Sequence, residues 1–200
     1  MKLIILEGPD GVGKSTQAKR LCEALSAKLV VQPSGDNTLG FLRPIVKTNK
    51  NIEPFARQLL HTCSHIVDAY EDFGPHNTAI VMDRCYASAL VYGKMTGLPQ
   101  EQLGILAQIH QNTYRPLIEK HGYDVHYVQF TAENPFRQAD EQDVYEKAAK
   151  WHALNDEYLS LFDTLNRNNT LCADTETHHL VKVDGKSEDD ITAEILKYIA

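Results

Sequence analysis

A glycine-rich stretch near the N-terminus, LEGPDGVGKST at positions 6–16, has the residue types and spacing for binding phosphate. It fits the pattern G-x-x-x-x-G-K-[ST] with Gly8, Gly13, Lys14 and Ser15. Glycines let backbone N–H groups surround a phosphate, the lysine adds a mobile positive charge, and the hydroxyl can ligate magnesium. The residues predicted to bind the phosphates of ATP are Gly8, Gly11, Val12, Gly13, Lys14, Ser15 and Thr16.

The segments on either side place this loop where its chemistry requires it. An apolar run at 3–6 predicts a strand before it, and apolar positions with helical spacing at 15–25 predict a helix after it. The positive end of that helix favours an anion in the loop. The chain has no N-K-x-D motif for reading guanine, so the sequence favours ATP and phosphoryl transfer over a GTP-driven switch.

Five apolar runs of strand length alternate with segments of helical periodicity. Strands at this spacing pair in parallel through crossover helices, so an α/β fold is predicted, with three layers and a five-stranded parallel sheet. Ser187 is predicted to cap a final helix, and the polar stretch 166–179 to form a surface loop. The strands are predicted at 3–6, 29–31, 79–82, 125–130 and 180–183, and the other helices at 15–25, 52–73 and 143–165.

Length, charge and cysteine usage exclude several classes of protein. The 200 residues predict a single domain, 1–200, and the formal charge of −7 argues against a nucleic-acid partner. No apolar stretch approaches the roughly 18 residues of a membrane span, so a cytoplasmic protein without a membrane partner is predicted. Cys22, Cys63, Cys85 and Cys172 are too scattered for a zinc site and are predicted to be reduced and mostly in the core.

The glycine-rich loop resembles the P-loop of the thymidylate kinase family, which reads E-G-x-D-G-x-G-K-[ST]. Further resemblances follow in the family's order along nearly the whole chain. The resemblance implies a P-loop kinase of the NTPase type that uses Mg²⁺ and moves the terminal phosphate of ATP to a deoxynucleoside monophosphate. The acceptor is expected to be thymidylate or a related, possibly 5-substituted, deoxyuridylate. The other matching segments are QPSGDNTLGFLRPIV (32–46), QLLHTCSHIVDAYE (58–71), MDRCYASALVYG (82–93), VHYVQFTAENPF (125–136), DVYEKAAKWHALNDEYLSL (143–161) and VKVDGKSEDDI (181–191).

The same resemblance assigns roles to particular residues. Ser15 and, through water, Asp83 are expected to hold the metal, and Gly185 and Lys186 to border the adenine. The apolar face of 52–67 is expected to form a homodimer. The expected catalytic residues are Lys14, Asp83, Arg84 and Arg137. The expected acceptor-binding residues are Asp10, Arg43, His61, His65, Arg84, Ser88, Tyr92 and Tyr145.

Two departures from the family bear on activity. His61 and His65 replace the family's Phe and Arg at the base, and Gly93 replaces a Gln, which predicts a base pocket of altered size and polarity. The lid, at about 132–145, carries Arg137 as its one arginine although Gly11 leaves none in the P-loop. Either Arg137 alone closes over the phosphoryl group or turnover is weak. Two alternatives therefore stay open: a deoxynucleoside kinase with Asp83 or Glu7 as base, and a nucleotide-binding protein with weak or lost transfer.

Overall fold

The computed structural model describes residues 1–73, 78–136, 150–168 and 176–200. A five-stranded sheet lies at the centre of the molecule, with strand order β2-β3-β1-β4-β5, and every pair of neighbouring strands is parallel. All five predicted strands are confirmed, each within three residues of its predicted ends. The strands are β1 (Lys2–Glu7), β2 (Lys28–Val31), β3 (Ile80–Asp83), β4 (Asp124–Thr131) and β5 (Thr177–Lys182).

Seven helices are described, and three of them were not predicted from the sequence. The unpredicted helix α5 (Gln100–His121) buries a helical stripe that includes His110 and Thr113 beside leucines, so its apolar periodicity is interrupted by polar residues. The unpredicted helix α4 (Tyr86–Met95) is buried on nearly all sides and therefore shows no apolar stripe. The helices are α1 (Lys14–Leu25), α2 (Leu42–Thr48), α3 (Pro54–Asp72), α4 (Tyr86–Met95), α5 (Gln100–His121), α6 (Trp151–Asn168) and α7 (Glu188–Tyr198).

Helices cover both faces of the sheet, which confirms the three-layer α/β/α architecture. Alternate residues of β1 enter two separate apolar cores, because successive side chains of a strand point to opposite faces. Leu3 and Ile5 pack with residues of α4, α5 and α6, whereas Ile4 and Leu6 pack with residues of α1 and α7. The central strands are buried on both sides, as their apolar sequences predict.

The last helix begins at the predicted cap. The Ser187 side chain accepts from the backbone N–H of Asp190, and the Asp190 side chain accepts from the backbone N–H of Ser187. This reciprocal pair satisfies two N–H groups that the helix end would leave without partners.

Two smaller sequence predictions were wrong. The stretch 166–179 is not one loop, because α6 continues to residue 168 and β5 begins at Thr177. The cysteines are free in the described part of the chain, but only Cys85 is buried, while Cys22 is partly buried and Cys63 is exposed. Cys172 lies outside the described residues.

Within the described ranges, no helix combines the length and the apolar character that crossing a membrane requires.

Candidate active site

The glycine-rich loop connects the carboxyl end of β1 to the start of α1. Gly8 has a φ of 141°, and a Cβ there would lie 2.6 Å from the carbonyl oxygen of Phe130, so only glycine fits against β4. Gly13 precedes α1 with a left-handed φ of 90°. These two positions let the backbone turn sharply from strand to helix and leave the first N–H groups of α1 facing a cavity.

The loop lines the first of two cavities, which we call the P-loop cavity and which has a volume of about 370 Å³. Lys14 is 4% exposed, and its Nζ donates to the carbonyl oxygen of Pro9 at 2.5 Å and lies 3.7 Å from a carboxylate oxygen of Asp10. Of the two residues predicted to border adenine, Lys186 lines this cavity and Gly185 does not. The lining residues are 10–17, Phe136, Lys186, Glu188 and Ile191.

Oxygen donors suited to magnesium meet beside this loop. Ser15 Oγ donates to Asp83 Oδ2 at 2.5 Å, so the start of α1 and the end of β3 are joined at one point. A hydroxyl and a carboxylate, together with phosphate oxygens, are donors that Mg²⁺ accepts. No group of three or more His, Cys, Asp or Glu side chains suited to a metal occurs in the described ranges. The residues present therefore fit a metal that a nucleotide's phosphates help to hold.

Arg84 ties the end of β3 to the P-loop. Its φ of 73° is strained for a residue with a side chain, by roughly 1 kcal/mol or more. Its backbone N–H donates to the Leu6 carbonyl at 2.9 Å, and its Nη1 donates to the Gly8 carbonyl at 3.1 Å. Its Nη2 pairs with the Asp10 carboxylate. The guanidinium is thus held beside the loop and paired with one of the loop's carboxylates.

A buried carboxylate, Glu7, orients the segment around Arg84. Glu7 is fully enclosed and accepts from the backbone N–H groups of Cys85 and Ser88 at 2.7 and 3.2 Å and from Ser88 Oγ at 2.6 Å. Burial raises the pKa of Glu7, while the Ser88 hydroxyl and the Arg84 charge oppose that shift. Glu7 lines neither cavity, which argues against its use as a base on a substrate.

Tyr158 of α6 completes this network. Its hydroxyl lies 2.8 Å from Arg84 Nη1 and 2.8 Å from Ser88 Oγ. The sequence analysis did not identify Tyr158, since a tyrosine on a helix far along the chain carries no motif. Glu7 was considered only as a base, although its place in the E-G-x-D loop was the available signal.

The second cavity, which we call the α3 cavity, has a volume of about 330 Å³ and shares Asp10, Gly11 and Ser15 with the P-loop cavity. It brings together every described residue that was expected to bind the acceptor, from five separate elements or loops. These residues are Asp10, Arg43, His61, His65, Arg84, Ser88 and Tyr92. The sequence analysis did not identify the lining residues Val31, Gln32, Pro33, Lys47, Gln58 and Ala89.

Two cations reach the α3 cavity from α2. Arg43 lines the cavity and donates from Nη1 to the Pro33 carbonyl at 2.5 Å, and Lys47 follows one turn later. Arg57 of α3 holds the end of α2 by donating to the carbonyls of Val46 and Asn49. The position of α2 against α3 therefore determines where these cations lie.

The histidine wall of the α3 cavity is uncharged. His61 and His65 lie on the same face of α3, as predicted, with ring centroids 6.5 Å apart. Burial lowers the pKa of His61 to about 4, and the charges of Arg57, Lys47 and Arg84 act in the same direction. Burial also lowers the pKa of His65 well below the usual value.

Comparison with known proteins agrees with this arrangement. The family model described as thymidylate kinase matches residues 6–182. The chain belongs to the thymidylate kinase family.

Relatives of the family resemble different shares of the chain. A probable thymidylate kinase of Methanococcus maripaludis is 32% identical over 102 residues, which cover 50% of each chain, so this match spans about half the length of the curated relative. A probable thymidylate kinase of Methanococcus aeolicus is 24% identical over 200 residues and covers 98% of this chain and 94% of its own.

A solved structure shares the fold. The thymidylate kinase structure from Candida albicans superposes with a TM-score of 0.79 at 23% identity, covering 99% of this chain and 90% of its own. The P-loop NTPase type of fold predicted for the chain is thereby confirmed.

The glycine that replaces a Gln of the thymidylate kinase family does not alter the α3 cavity, contrary to the prediction. Gly93 does not line the α3 cavity, and a Cβ at this position would lie 3.0 Å from side-chain atoms of Leu98 and Leu103. The glycine therefore relieves crowding between α4 and α5 and does not widen the pocket. Gln58 of α3 lines the cavity and supplies an amide there.

The structure describes only part of the segment expected to form a lid. Arg137 and Tyr145 lie outside the described residues, as does the lid from 137 to 145. On one side the Phe136 N–H donates to the Gly11 carbonyl at 2.8 Å, and on the other Trp151 Nε1 donates to the Asp10 carbonyl at 2.8 Å. The described residues Phe136 and Trp151 thus each donate a hydrogen bond to the P-loop backbone.

Proposed function

We propose that this chain is a magnesium-dependent kinase that transfers the terminal phosphate of ATP to thymidylate. The observation that carries the proposal is the shared wall of the two cavities, Asp10, Gly11 and Ser15. A triphosphate in the P-loop cavity and a monophosphate in the α3 cavity would meet across these residues. In-line transfer needs this juxtaposition, because positioning and charge neutralisation supply most of the catalysis.

A positively charged residue binds phosphate on each side of the shared wall. Lys14 and the backbone N–H groups of α1 bind the phosphates of ATP. Arg84 binds the phosphate of the acceptor, whose oxygen forms the new bond to phosphorus while the bond to ADP breaks. Asp10 pairs with Arg84 before substrate arrives and then faces the acceptor sugar. Arg137 and Tyr145 remain expected contributors to the lid and the sugar contact.

Magnesium fits the proposed site. Ser15 would ligate the ion and Asp83 would orient its water shell, since the two side chains already contact each other. When bound there, the ion would supply positive charge that neutralises the phosphoryl group during transfer.

A guanidinium in the α3 cavity favours a monophosphate over a nucleoside as acceptor. If the acceptor ended in a free hydroxyl, it would offer Arg84 no phosphate to take the place of the Asp10 carboxylate. A panel assay tests this: ATP and Mg²⁺ are mixed with thymidylate, deoxyuridylate, other deoxynucleoside monophosphates or thymidine, and ADP and the new phosphate ester are measured. We expect diphosphate from thymidylate and no product from thymidine. Absence of diphosphate from every monophosphate would contradict the proposal.

We also propose a homodimer through the exposed apolar side of α3. Tyr70 is 65% exposed, and Ile66 and Val67 are partly exposed beside it. Burial of these side chains against a second copy would remove apolar surface from water. Sedimentation should show a dimer that Tyr70→Lys dissociates, whereas Tyr198→Lys on α7, which changes a residue 41% exposed, should leave the dimer intact. The cytoplasmic location and the single-domain boundary, 1–200, stay predictions.

A further inference from the structure

Two buried histidines form a hydrogen-bonded pair at the wall of the α3 cavity. His65 Nδ1 lies 3.0 Å from His110 Nε2, and His110 Nδ1 lies 2.8 Å from the carbonyl oxygen of Leu106. His65 lines the cavity, and His110 is fully enclosed behind it. The pair therefore connects the cavity wall to the backbone of α5.

The Leu106 carbonyl determines where the protons of this pair lie. A carbonyl oxygen only accepts, so His110 Nδ1 carries a proton. A neutral imidazole has one N–H group, which leaves His110 Nε2 as an acceptor, and His65 Nδ1 must donate to it. His65 Nε2 then has no proton, and it is the remaining polar atom of the ring that a molecule in the cavity can reach.

Both rings are neutral at pH 7. Burial lowers the pKa of His110 to about 4, although the contact with the Leu106 carbonyl opposes this shift. Burial also lowers the pKa of His65 well below its usual value, and the neighbouring His110 and His61 act in the same direction. The tyrosine rings beside His110 are those of Tyr86 and Tyr114. His65 thus presents a lone pair to the cavity and not a cation.

The base of the acceptor reaches the wall that α3 supplies. This step rests on the proposed function, in which the acceptor phosphate lies near Arg84 at the P-loop end of the α3 cavity. An extended nucleotide then directs its base away from the P-loop, toward lining residues of α3. His65, His61 and Gln58 belong to that wall.

We infer that His65 Nε2 accepts a hydrogen bond from an N–H group on the edge of the acceptor base, and that His110 is the positioning residue that holds His65 in this tautomer. The donor is the N3–H group of thymine or uracil. Cytosine carries a lone pair at N3, so in the same position of the base the two lone pairs would face each other. The N4 amino group of cytosine could donate to His65 only if the base shifted. The pair therefore selects thymidylate and deoxyuridylate over deoxycytidylate, because a buried acceptor without a donor is costly.

The tautomer is tested without any turnover. ¹⁵N NMR of the histidine rings in the substrate-free protein should show a protonated Nδ1 and an unprotonated Nε2 for both His65 and His110. His110→Gln, whose amide oxygen can still accept from His65 Nδ1, should leave the His65 pattern unchanged. A protonated Nε2 on His65 in the wild-type protein would overturn the inference.

The base contact is tested with an acceptor whose donor is blocked. The value of kcat/KM for N3-methylthymidylate should be at least about 100-fold lower than that for thymidylate in the wild-type protein. His65→Ala removes the hydrogen-bond acceptor and makes room for the methyl group. It should therefore reduce the ratio of kcat/KM for thymidylate to kcat/KM for N3-methylthymidylate at least about 10-fold. His110→Gln should keep the ratio, and His110→Phe should reduce it. His121→Gln, on the same helix and away from both cavities, is the matched control.

The outcomes separate the inference from the proposed function. If the wild-type protein phosphorylates N3-methylthymidylate as efficiently as thymidylate, the contact to His65 is wrong and the kinase assignment stands. If no monophosphate is phosphorylated, the proposed function fails, and calorimetry compares the affinities of thymidylate and N3-methylthymidylate instead. Equal affinities would overturn the inference.

Discussion

The two cavities meet at three residues but are built in opposite ways. The P-loop cavity is formed mainly by one continuous run, 10–17, and it offers backbone N–H groups and a lysine. The α3 cavity is formed by side chains from many parts of the chain, and its α3 wall carries neutral histidines. A phosphate can be bound by local backbone geometry, whereas the edge of a base must be met by side chains that only the tertiary fold brings together.

The largest expected effect is on the P-loop side. Lys14→Ala removes the buried cation of the loop, so kcat/KM should fall at least about 100-fold. The fall should be the same for every acceptor, since the lysine serves the donor phosphates. Steady-state kinetics with several monophosphates measures it, with Lys19→Ala on the exposed side of α1 as control. A fall in kcat/KM for only one acceptor would show that Lys14 acts on the acceptor and not on the phosphates of ATP.

Arg84→Gln should affect the acceptor side with a somewhat smaller loss, of about 100-fold in kcat/KM. The KM for thymidylate should rise more than the KM for ATP, because Arg84 lines the α3 cavity and not the P-loop cavity. Initial-rate measurements over both substrates separate the two constants. Equal increases in both KM values would show that Arg84 acts mainly by holding the P-loop.

Acidification should lower the free energy of unfolding of the protein through two buried histidines, His61 and His110. The folded-state pKa of His61 and of His110 is about 4, below the unfolded value near 6.5. The unfolded chain therefore binds more protons between these values, so this contribution is complete above pH 6.5 and is lost as the pH falls toward 4. Urea unfolding at several pH values measures the loss.

His110→Gln removes one of these titrating groups. Its free energy of unfolding should therefore depend less on pH than that of the wild-type protein between pH 6.5 and 4. The same slope in both proteins would contradict the assignment of a neutral buried His110.

The smallest expected effect concerns Asp68, behind the α3 cavity. Burial raises its pKa to about 6, above the usual 3.8, although Asn37 donates to it at 2.7 Å. Its contribution to stability is complete below pH 3.8 and is lost as the pH rises through 6. This pH dependence is opposite in sign to that of the histidines. Asp68→Asn should therefore raise stability at pH 7 by about 1 kcal/mol.

The hydrogen bonds of Asp68 are consistent with that expectation. The oxygen of an asparagine side chain can still accept from Asn37, and only the longer contact from Gln32 Nε2, at 3.3 Å, is lost. The neutral amide also avoids the cost of burying a charge. Thermal unfolding at pH 7 and pH 4 tests this, and a variant less stable than the wild type at pH 7 would contradict it.

Sequence patterns predicted the sheet more completely than the helices around the α3 cavity. β1 and β4 are short apolar runs whose strand character is local, and both appear where predicted. α5 was not predicted because its buried face includes His110 and Thr113, which do not read as apolar. Gly93 was predicted to change the base pocket because of its position in the sequence. Its neighbours in space are instead two leucines outside that pocket.

The amino-acid sequence by itself determined the phosphate loop, the adjacent residues Asp83 and Arg84 at the end of β3, and the family. These features depend on residues adjacent in the chain, where spacing alone specifies the geometry. The tertiary structure alone decided what His65 presents to a substrate. Its partner His110 lies 45 residues away on another helix, and a proton is assigned to one nitrogen of a ring only when the group opposite that nitrogen is known.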